Sequence, residues 1–364
     1  MNLTAGGQAG LPLPSRMGRL APPPVRLQAL PLRAMPNWSD AFLADPAEGD
    51  IFASRLWYDT TLAHALPQGC VGALALVGEG AALLPLLRGP SGLSALATPY
   101  TLDWRPLLGS GDAAEAAGRG LGVWLRHRAP LRLEAMDPEM PGLPSLMRGV
   151  AEAGISVQRY RHFGNWHEGL AVDAGWEGYL AGRAPELRNT IRRKLRHAAR
   201  EFRFELVEAP GTELREGIAA YEAVRAASWK PSEPFPNFDA ALMQAAARCG
   251  ALRLGVLRNA EGHPIAAQYW LVSGGRAWLL KLCHAEAQRG ASPGTALTAM
   301  MIHRLIEHDR VRALDLGRGD DAYKQLWVSQ RRQRVGFVLA HAWHPAGLAA
   351  VARHRLAGWM GRGA

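Results

Sequence analysis

The sequence is poor in cysteine, in lysine and in long apolar runs. Its three cysteines, Cys70, Cys249 and Cys283, stand far apart in 364 residues and form no C-x-x-C or Cys/His cluster. That spacing argues against a disulfide framework and against a structural zinc site, and no metal is expected. A reducing cytoplasm is the expected setting. No stretch of 18 apolar residues occurs, so no helix is expected to span a membrane. H-E-x-x-H, G-x-S-x-G and P-loop patterns are missing as well, which disfavours zinc peptidase, serine hydrolase and P-loop kinase chemistry.

What is present is arginine. The net charge is +10, yet there are four lysines, Lys194, Lys230, Lys281 and Lys324. Such a charge favours anionic partners, although the excess of arginine, alanine and glycine is also what biased coding produces. Where arginine is the default cation, a lysine either marks a place that needs a compact ammonium or persists by chance. With 48% hydrophobic residues the chain can bury one large core or two moderate ones, and two domains are expected.

Residues 1–36 are proline-rich, lack the apolar block of a secretory signal and read as a disordered arm. Leu348 to Met360 reads as a closing helix or, with Arg353 and Arg355, as a basic amphipathic helix in peripheral contact with a membrane. Between these ends the same order of elements occurs twice. In the first half, Val71 to Val77 and Ala81 to Leu87 form a hairpin. A helix over Asp112 to His127, a strand over Leu131 to Ala135, a short helix over Leu143 to Ala153 and a strand over Ser156 to His162 follow. In the second half, strands over Leu252 to Leu257, Ile265 to Val272 and Ala277 to Cys283 form a meander. It is followed by a helix Thr295 to His308, a strand Ala313 to Gly317, a short helix Tyr323 to Ser329 and a strand Val335 to Ala340. Strands interleaved with helices in this way make an α/β (α+β) fold. The expected units are the arm 1–36, a domain over 37–170, a domain over 171–345 and a tail over 346–364.

Three segments carry candidate chemistry. Gln288-Arg-Gly-Ala-Ser-Pro-Gly-Thr295 joins a strand to an amphipathic helix, and open amides at such a helix start bind phosphate oxygens. Ser292 or Thr295 can cap that helix, and Gly290 and Gly294 permit close backbone approach; many such starts bind nothing. A two-residue turn at Gly274-Gly275 places Gln268 opposite Lys281, as a polar pair that either satisfies itself or lines a groove. Asp315 to Trp327 leaves the carboxyl end of an interior strand, where Asp320, Asp321, Tyr323 and Lys324 cluster. A carboxylate there can take a proton from an amine or hydroxyl, and Tyr323 or Lys324 can stabilise a leaving group; one aspartate is expected to cap the short helix. Upstream, Arg188, Arg192 and Arg196 form one face of a helix over Pro185 to Phe202, which reads as a solvated surface or as a cationic wall for a phosphate-bearing ligand. Trp229 and Lys230 close a helix before Pro231, Pro234 and Pro236. Trp166 and His167 fall where the halves join and read as packing.

Ser228-Trp-Lys230, Pro264-Ile-Ala-Ala-Gln268, Lys281-Leu282, Ser292-Pro-Gly-Thr295 and Gly319-Asp-Asp-Ala-Tyr-Lys324 occur in that order. In this order the segment from Glu186 to Arg334 resembles the GNAT-type acetyltransferase domain of CelD-like cellulose-biosynthesis proteins, relatives of the Fem-type peptidoglycan aminoacyltransferases. The resemblance implies two tandem GNAT-like domains, each a mixed, mostly antiparallel sheet flanked by helices, of which the first is degenerate. It implies acyl-CoA, typically acetyl-CoA, with its pyrophosphate on Gln288, Arg289, Gly290, Ser292, Pro293, Gly294 and Thr295. It further implies an amine- or hydroxyl-bearing acceptor related to the cell envelope or an exopolysaccharide, held with help from Trp229, Lys230, Gln268, Lys281, Arg188 and Arg192. Gln288 to Gly294 only approximates the superfamily pattern Q/R-x-x-G-x-G/A, and Fem-type relatives use aminoacyl-tRNA instead; no DNA partner is implied. A GNAT-like pair that binds without catalysis is the third alternative.

Overall fold

A computed structural model describes residues 21–109, 113–171 and 173–341. The helix expected over Leu348 to Met360 lies outside the described residues. Strands β1 (Val25–Leu32), β2 (Val71–Val77), β3 (Ala82–Gly89) and β4 (Gly92–Ala95) form an antiparallel meander, to which β5 (Leu107–Leu108) adds a short pairing. Helix α1 (Arg55–His64) lies between β1 and β2 in sequence. Helix α2 (Ala113–Leu125) leads to β6 (Leu131–Met136), which runs parallel to β4, and α3 (Leu143–Glu152) leads to the long β7 (Ile155–Gly169). Helices α4 (Gly175–Ala181) and α5 (Pro185–Glu201) link to the second half.

There the order recurs. β8 (Arg203–Val207) is followed by α6 (Thr212–Ala226), α7 (Phe238–Arg248) and the antiparallel β9 (Leu252–Arg258), β10 (Pro264–Ser273) and β11 (Arg276–His284). Helix α8 (Pro293–Glu307) leads to β12 (Ala313–Arg318), parallel to β11, and the one-turn α9 (Lys324–Trp327) leads to β13 (Gln330–His341).

All these strands share one sheet, along the path β1-β2-β3-β4-β6-β13-β7-β12-β11-β10-β9-β8. Each half places its last strand inside the other half. β13 lies between β6 and β7, and β7 lies between β13 and β12, paired from Gln330↔His167 to His341↔Ile155. The aromatic core also crosses the halves: Phe52 packs edge-on against Trp278 at 5.5 Å and Trp57 against Phe238 at 5.7 Å. Among the described residues no helix is long and apolar enough to cross a membrane.

The segment after residue 20, expected to be part of an arm without structure, instead supplies β1 and the buried Met35. Proline does not prevent this. β1 is an edge strand, and Pro31 falls in the irregular stretch between Gln28 and Leu32, where the ladder asks no amide of it. In the first half, β4 and β6 pair only at Leu93↔Leu131 and Ser94↔Arg132. Beyond that point Trp104 fills the gap, its amide bonded to Ala135 O at 2.9 Å and its indole N–H to Pro85 O at 3.0 Å.

Candidate active site

The second half has the corresponding gap. β11 and β12 pair from Arg276↔Ala313 to Trp278↔Asp315 and then diverge. Two local features separate them. Trp270 pairs with Leu279 and Tyr269 with Lys281, so Leu280 is an extra residue in β11, a bulge that bends the strand and leaves the ladder locally open. Gly317 in β12 has φ +72°, and a Cβ there would lie 2.6 Å from Leu279 O, so a glycine suits this position both sterically and conformationally. The departing end of β12 is held from the first half. The Asn165 amide of β7 donates to Asp315 Oδ1 at 2.7 Å and to Gly317 O at 2.9 Å. The Arg332 guanidinium of β13 donates to Asn165 Oδ1 and Asp315 Oδ2, each at 2.6 Å.

The bulge changes the expected pairing of Gln268 with Lys281. Gln268 faces Leu282 instead, so the two polar side chains fall on opposite sides of the sheet. Gln268 is fully buried and accepts a hydrogen bond from Trp270 Nε1 at 3.2 Å. Lys281 donates to Glu233 Oε1 at 2.8 Å and lies 4.4 Å over the Tyr100 ring.

A cleft of about 560 Å³ opens between α5, the start of α8 and the turn before α9, where Gly294, Thr295, Trp229, His284, Asp321 and Tyr323 all line it. Helix α8 begins at Pro293, earlier than Thr295, because Ser292 takes the left-handed conformation (φ 54°) that turns the chain into it. Neither expected side-chain cap forms; the Ser292 carbonyl accepts from the Thr295 amide at 3.1 Å. The Gly294 amide has no partner among the described residues, and a Cβ there would meet His284 Nδ1 at 3.4 Å. Thr298 Oγ1 donates to Gly294 O at 2.8 Å. Gln288, Arg289 and Gly290 sit on a 3-10 turn, Glu286–Ala291, outside the cleft wall. That turn engages its own amides, Gln288 N to Ala285 O and Ser292 N to Arg289 O, each at 3.0 Å.

Helix α5 presents Glu186, Leu187 and Thr190 to the cleft, and Lys194 Nζ donates to Ala291 O at 2.9 Å. The arginine stripe is two residues out of phase with that face, so it points away from the cleft. Arg192 is exposed, and Arg188 donates to Ala181 O at 3.3 Å. Neither builds the expected cationic wall there.

A second cavity of about 270 Å³ adjoins the first and shares Lys230, Leu282, Asp321 and Tyr323 with it. Lys230 donates to Leu282 O, and burial lowers the pKa of its ammonium. Lys324, 4% exposed, donates to Arg318 O at 2.6 Å and pairs with Asp321 Oδ2 at 3.2 Å. Burial pushes its pKa down, against the pull of Asp321. Its donors are thus engaged in holding the turn. Asp320 faces the other way, bound by the Arg331 fork at 2.6 and 2.7 Å, which holds its carboxyl below the usual range. The N-cap of α9 is Tyr323, without a side-chain bond, so neither aspartate caps that helix. Burial, then Asp321, raises the Tyr323 phenol above its ordinary range and keeps it protonated. Burial lowers the His284 imidazole below its usual 6.5, which keeps it neutral at pH 7. The lining therefore offers a proton donor, Tyr323, and two acceptors, His284 and Asp321.

His284, Tyr100, Glu233 and Asn165 are absent from the residues expected from sequence. His284 had a legible signal, as a histidine at the end of the strand entering the α8 loop. Tyr100, Glu233 and Asn165 reach the site from distant segments and had none. Trp229 is 55% exposed with its ring 4.4 Å from His284.

Residues 185–325 match the family described as acetyltransferase (GNAT) domain. No curated protein matches the chain at the sequence level. Among solved structures, FemX aligns over 86% of this chain and 96% of its own, at 11% identity with a TM-score of 0.56. L-PGS from Bacillus licheniformis aligns over 79% of this chain and 89% of its own, at 13% identity and a TM-score of 0.51. At such identities the likeness is one of fold. Residues 185–325, which contain the cleft's α5 and α8 walls and its candidate residues His284, Asp321 and Tyr323, are thus similar to a GNAT-type acetyltransferase domain, within a fold shared with FemX and L-PGS.

Proposed function

We propose that this protein transfers an acyl group from acyl-CoA, acetyl-CoA in the simplest case, to an amine or hydroxyl. The single observation that carries the reading is convergence: the open Gly294 amide at the start of α8 and the β11–β12 gap border two adjoining cavities, and Tyr323 lines both. The residues present suit the donor. Leu187, Leu282, Leu326 and Trp327 give an apolar passage for its thioester arm, and the α8 dipole with the Gly294 amide suits a phosphate oxygen. When bound, the donor supplies the activated acyl group as a thioester.

The chain's own residues then handle protons. As the acceptor's nitrogen or oxygen bonds to the acyl carbon and the carbon–sulfur bond breaks, His284 or Asp321 takes the acceptor proton. Tyr323 gives its proton to the departing sulfur, and proton return between these groups resets the site. The acceptor class, a cell-envelope or exopolysaccharide precursor, rests on the family resemblance. Calorimetric titration with CoA, acetyl-CoA and longer acyl-CoAs tests the donor; no heat with any of them removes this reading.

A second reading, an aminoacyl-tRNA donor, is favoured by the 3-10 turn Glu286–Ala291, which engages amides a diphosphate would need, and by the solvent-facing arginines of α5. It requires tRNA binding that weakens steeply with salt. Flat salt dependence in a filter-binding assay would exclude it.

A further inference from the structure

The smaller cavity is built across both halves. Pro99, Tyr100 and Leu102 come from the segment after β4, and the rest comes from the second half. Its lining is unbalanced in charge. Lys230, Lys281, Arg318 and Lys324 face it against one lining carboxylate, Asp321. Lys324 is matched by Asp321 and Lys281 by Glu233, which stands behind the wall. Lys230 and Arg318 have no carboxylate partner within salt-bridge distance among the described residues. Lys230 Nζ donates to Leu282 O, and Arg318 rests on the Phe163 ring at 4.5 Å beside His162 Nε2 at 3.3 Å. Desolvation lowers the pKa of both cations, against the pull of Asp321 on Lys230 and of Glu134 on Arg318. Lys230 is half-buried and Arg318 exposed at the cavity, and an anion placed against them would gain charge-assisted contacts that no carboxylate supplies at that distance.

We infer that this cavity is an acceptor site that selects molecules bearing an anionic group, a carboxylate or phosphate monoester, through Arg318 and Lys230. The inference rests on the acyl-transfer reading for the word acceptor; the anion site itself does not. Asp321 and Tyr323, shared with the donor cleft, mark the side of the cavity toward which the acceptor's amine or hydroxyl would point. Arg318 lines the smaller cavity alone and would hold the anionic group away from the donor cleft, while Lys230, which lines both, would reach it from the side of the reacting atoms.

The test is equilibrium binding to the full chain, which needs no turnover. Phosphoethanolamine is compared with ethanolamine, and β-alanine with its amide, by calorimetry. In at least one pair the anionic member is expected to bind about tenfold or more tightly, the effect of one charge-assisted contact. The pair that discriminates distinguishes phosphate from carboxylate. Arg318→Gln and Lys230→Met, checked for folding by circular dichroism, are each expected to shrink that ratio. Equal binding of both members in both pairs, no measurable binding of either anionic probe, or ratios untouched in both variants would overturn the site. Anion preference without any acyl-CoA binding would remove the acyl-transfer reading and leave the site standing. Acyl-CoA binding without anion preference would do the reverse.

Discussion

Tyr269, and not Gln268, stands opposite Lys281, because Leu280 is an extra residue in β11. That one-residue shift turns Lys281 toward Glu233 and the smaller cavity, and it falls just beyond the point where β11 parts from β12. Deleting Leu280 would restore a regular ladder and draw the strands together. The expected result is loss of acyl-CoA binding in a protein that still folds, read by calorimetry beside circular dichroism. Retained binding would show that the bulge does not make the gap.

Asp320 and Asp321 are neighbours in sequence and differ in surroundings. Asp320→Asn removes an exposed pair with Arg331 and is expected to cost at most about 1 kcal/mol in stability, with little change in turnover. Asp321→Asn changes a group on both cavities and is expected to lower kcat/KM more. Equal effects in steady-state assays would contradict the assignment.

Tyr323→Phe removes the proton donor without removing the ring. Turnover is expected to fall by about 10²- to 10⁴-fold, the usual contribution of a positioned acid, with acyl-CoA affinity little changed. A change confined to affinity would make Tyr323 a binding residue.

The pH profile follows from His284. Its pKa is lowered, so the neutral, proton-accepting form is already populated below pH 6.5. The rate should rise with pH on the acid side and be level through neutrality, and the raised phenol of Tyr323 should not impose a fall near pH 9. Persistence of the acid limb in His284→Gln would assign it to another group.

Lys324 anchors the turn. Lys324→Met leaves the Arg318 and Gly319 carbonyls short of a donor and is expected to cost about 1 to 3 kcal/mol. The folded pKa is lowered, so in the alkaline range the unfolded chain keeps this proton to a higher pH than the folded one. Its contribution to stability therefore rises with pH up to its ordinary value near 10.5. Urea midpoints from pH 7 to 10 should show this rise in wild type and a weaker one in the variant.

The elements that recur in both halves were legible in the sequence, because alternation and helical period report which side of each local segment is buried, whereas β1, β4, β8, α1 and α7 were not read from it. So was the strand, loop and helix at Lys281 to Thr295, since glycine and proline act through their own backbone. Residue pattern likewise brought Asp321, Tyr323 and Lys324 together, being close neighbours in one turn. The exchange of β7 and β13 between the halves was not legible, nor was the Leu280 bulge, nor the hold of Asn165 on Asp315 and Gly317. Each depends on a pairing partner far away in sequence, and no local period encodes which strand that partner is. For the same reason tertiary structure alone decided that Asp320 turns to Arg331 while Asp321 lines the cavities, and that Trp104 fills in the first half the gap that the second half leaves open.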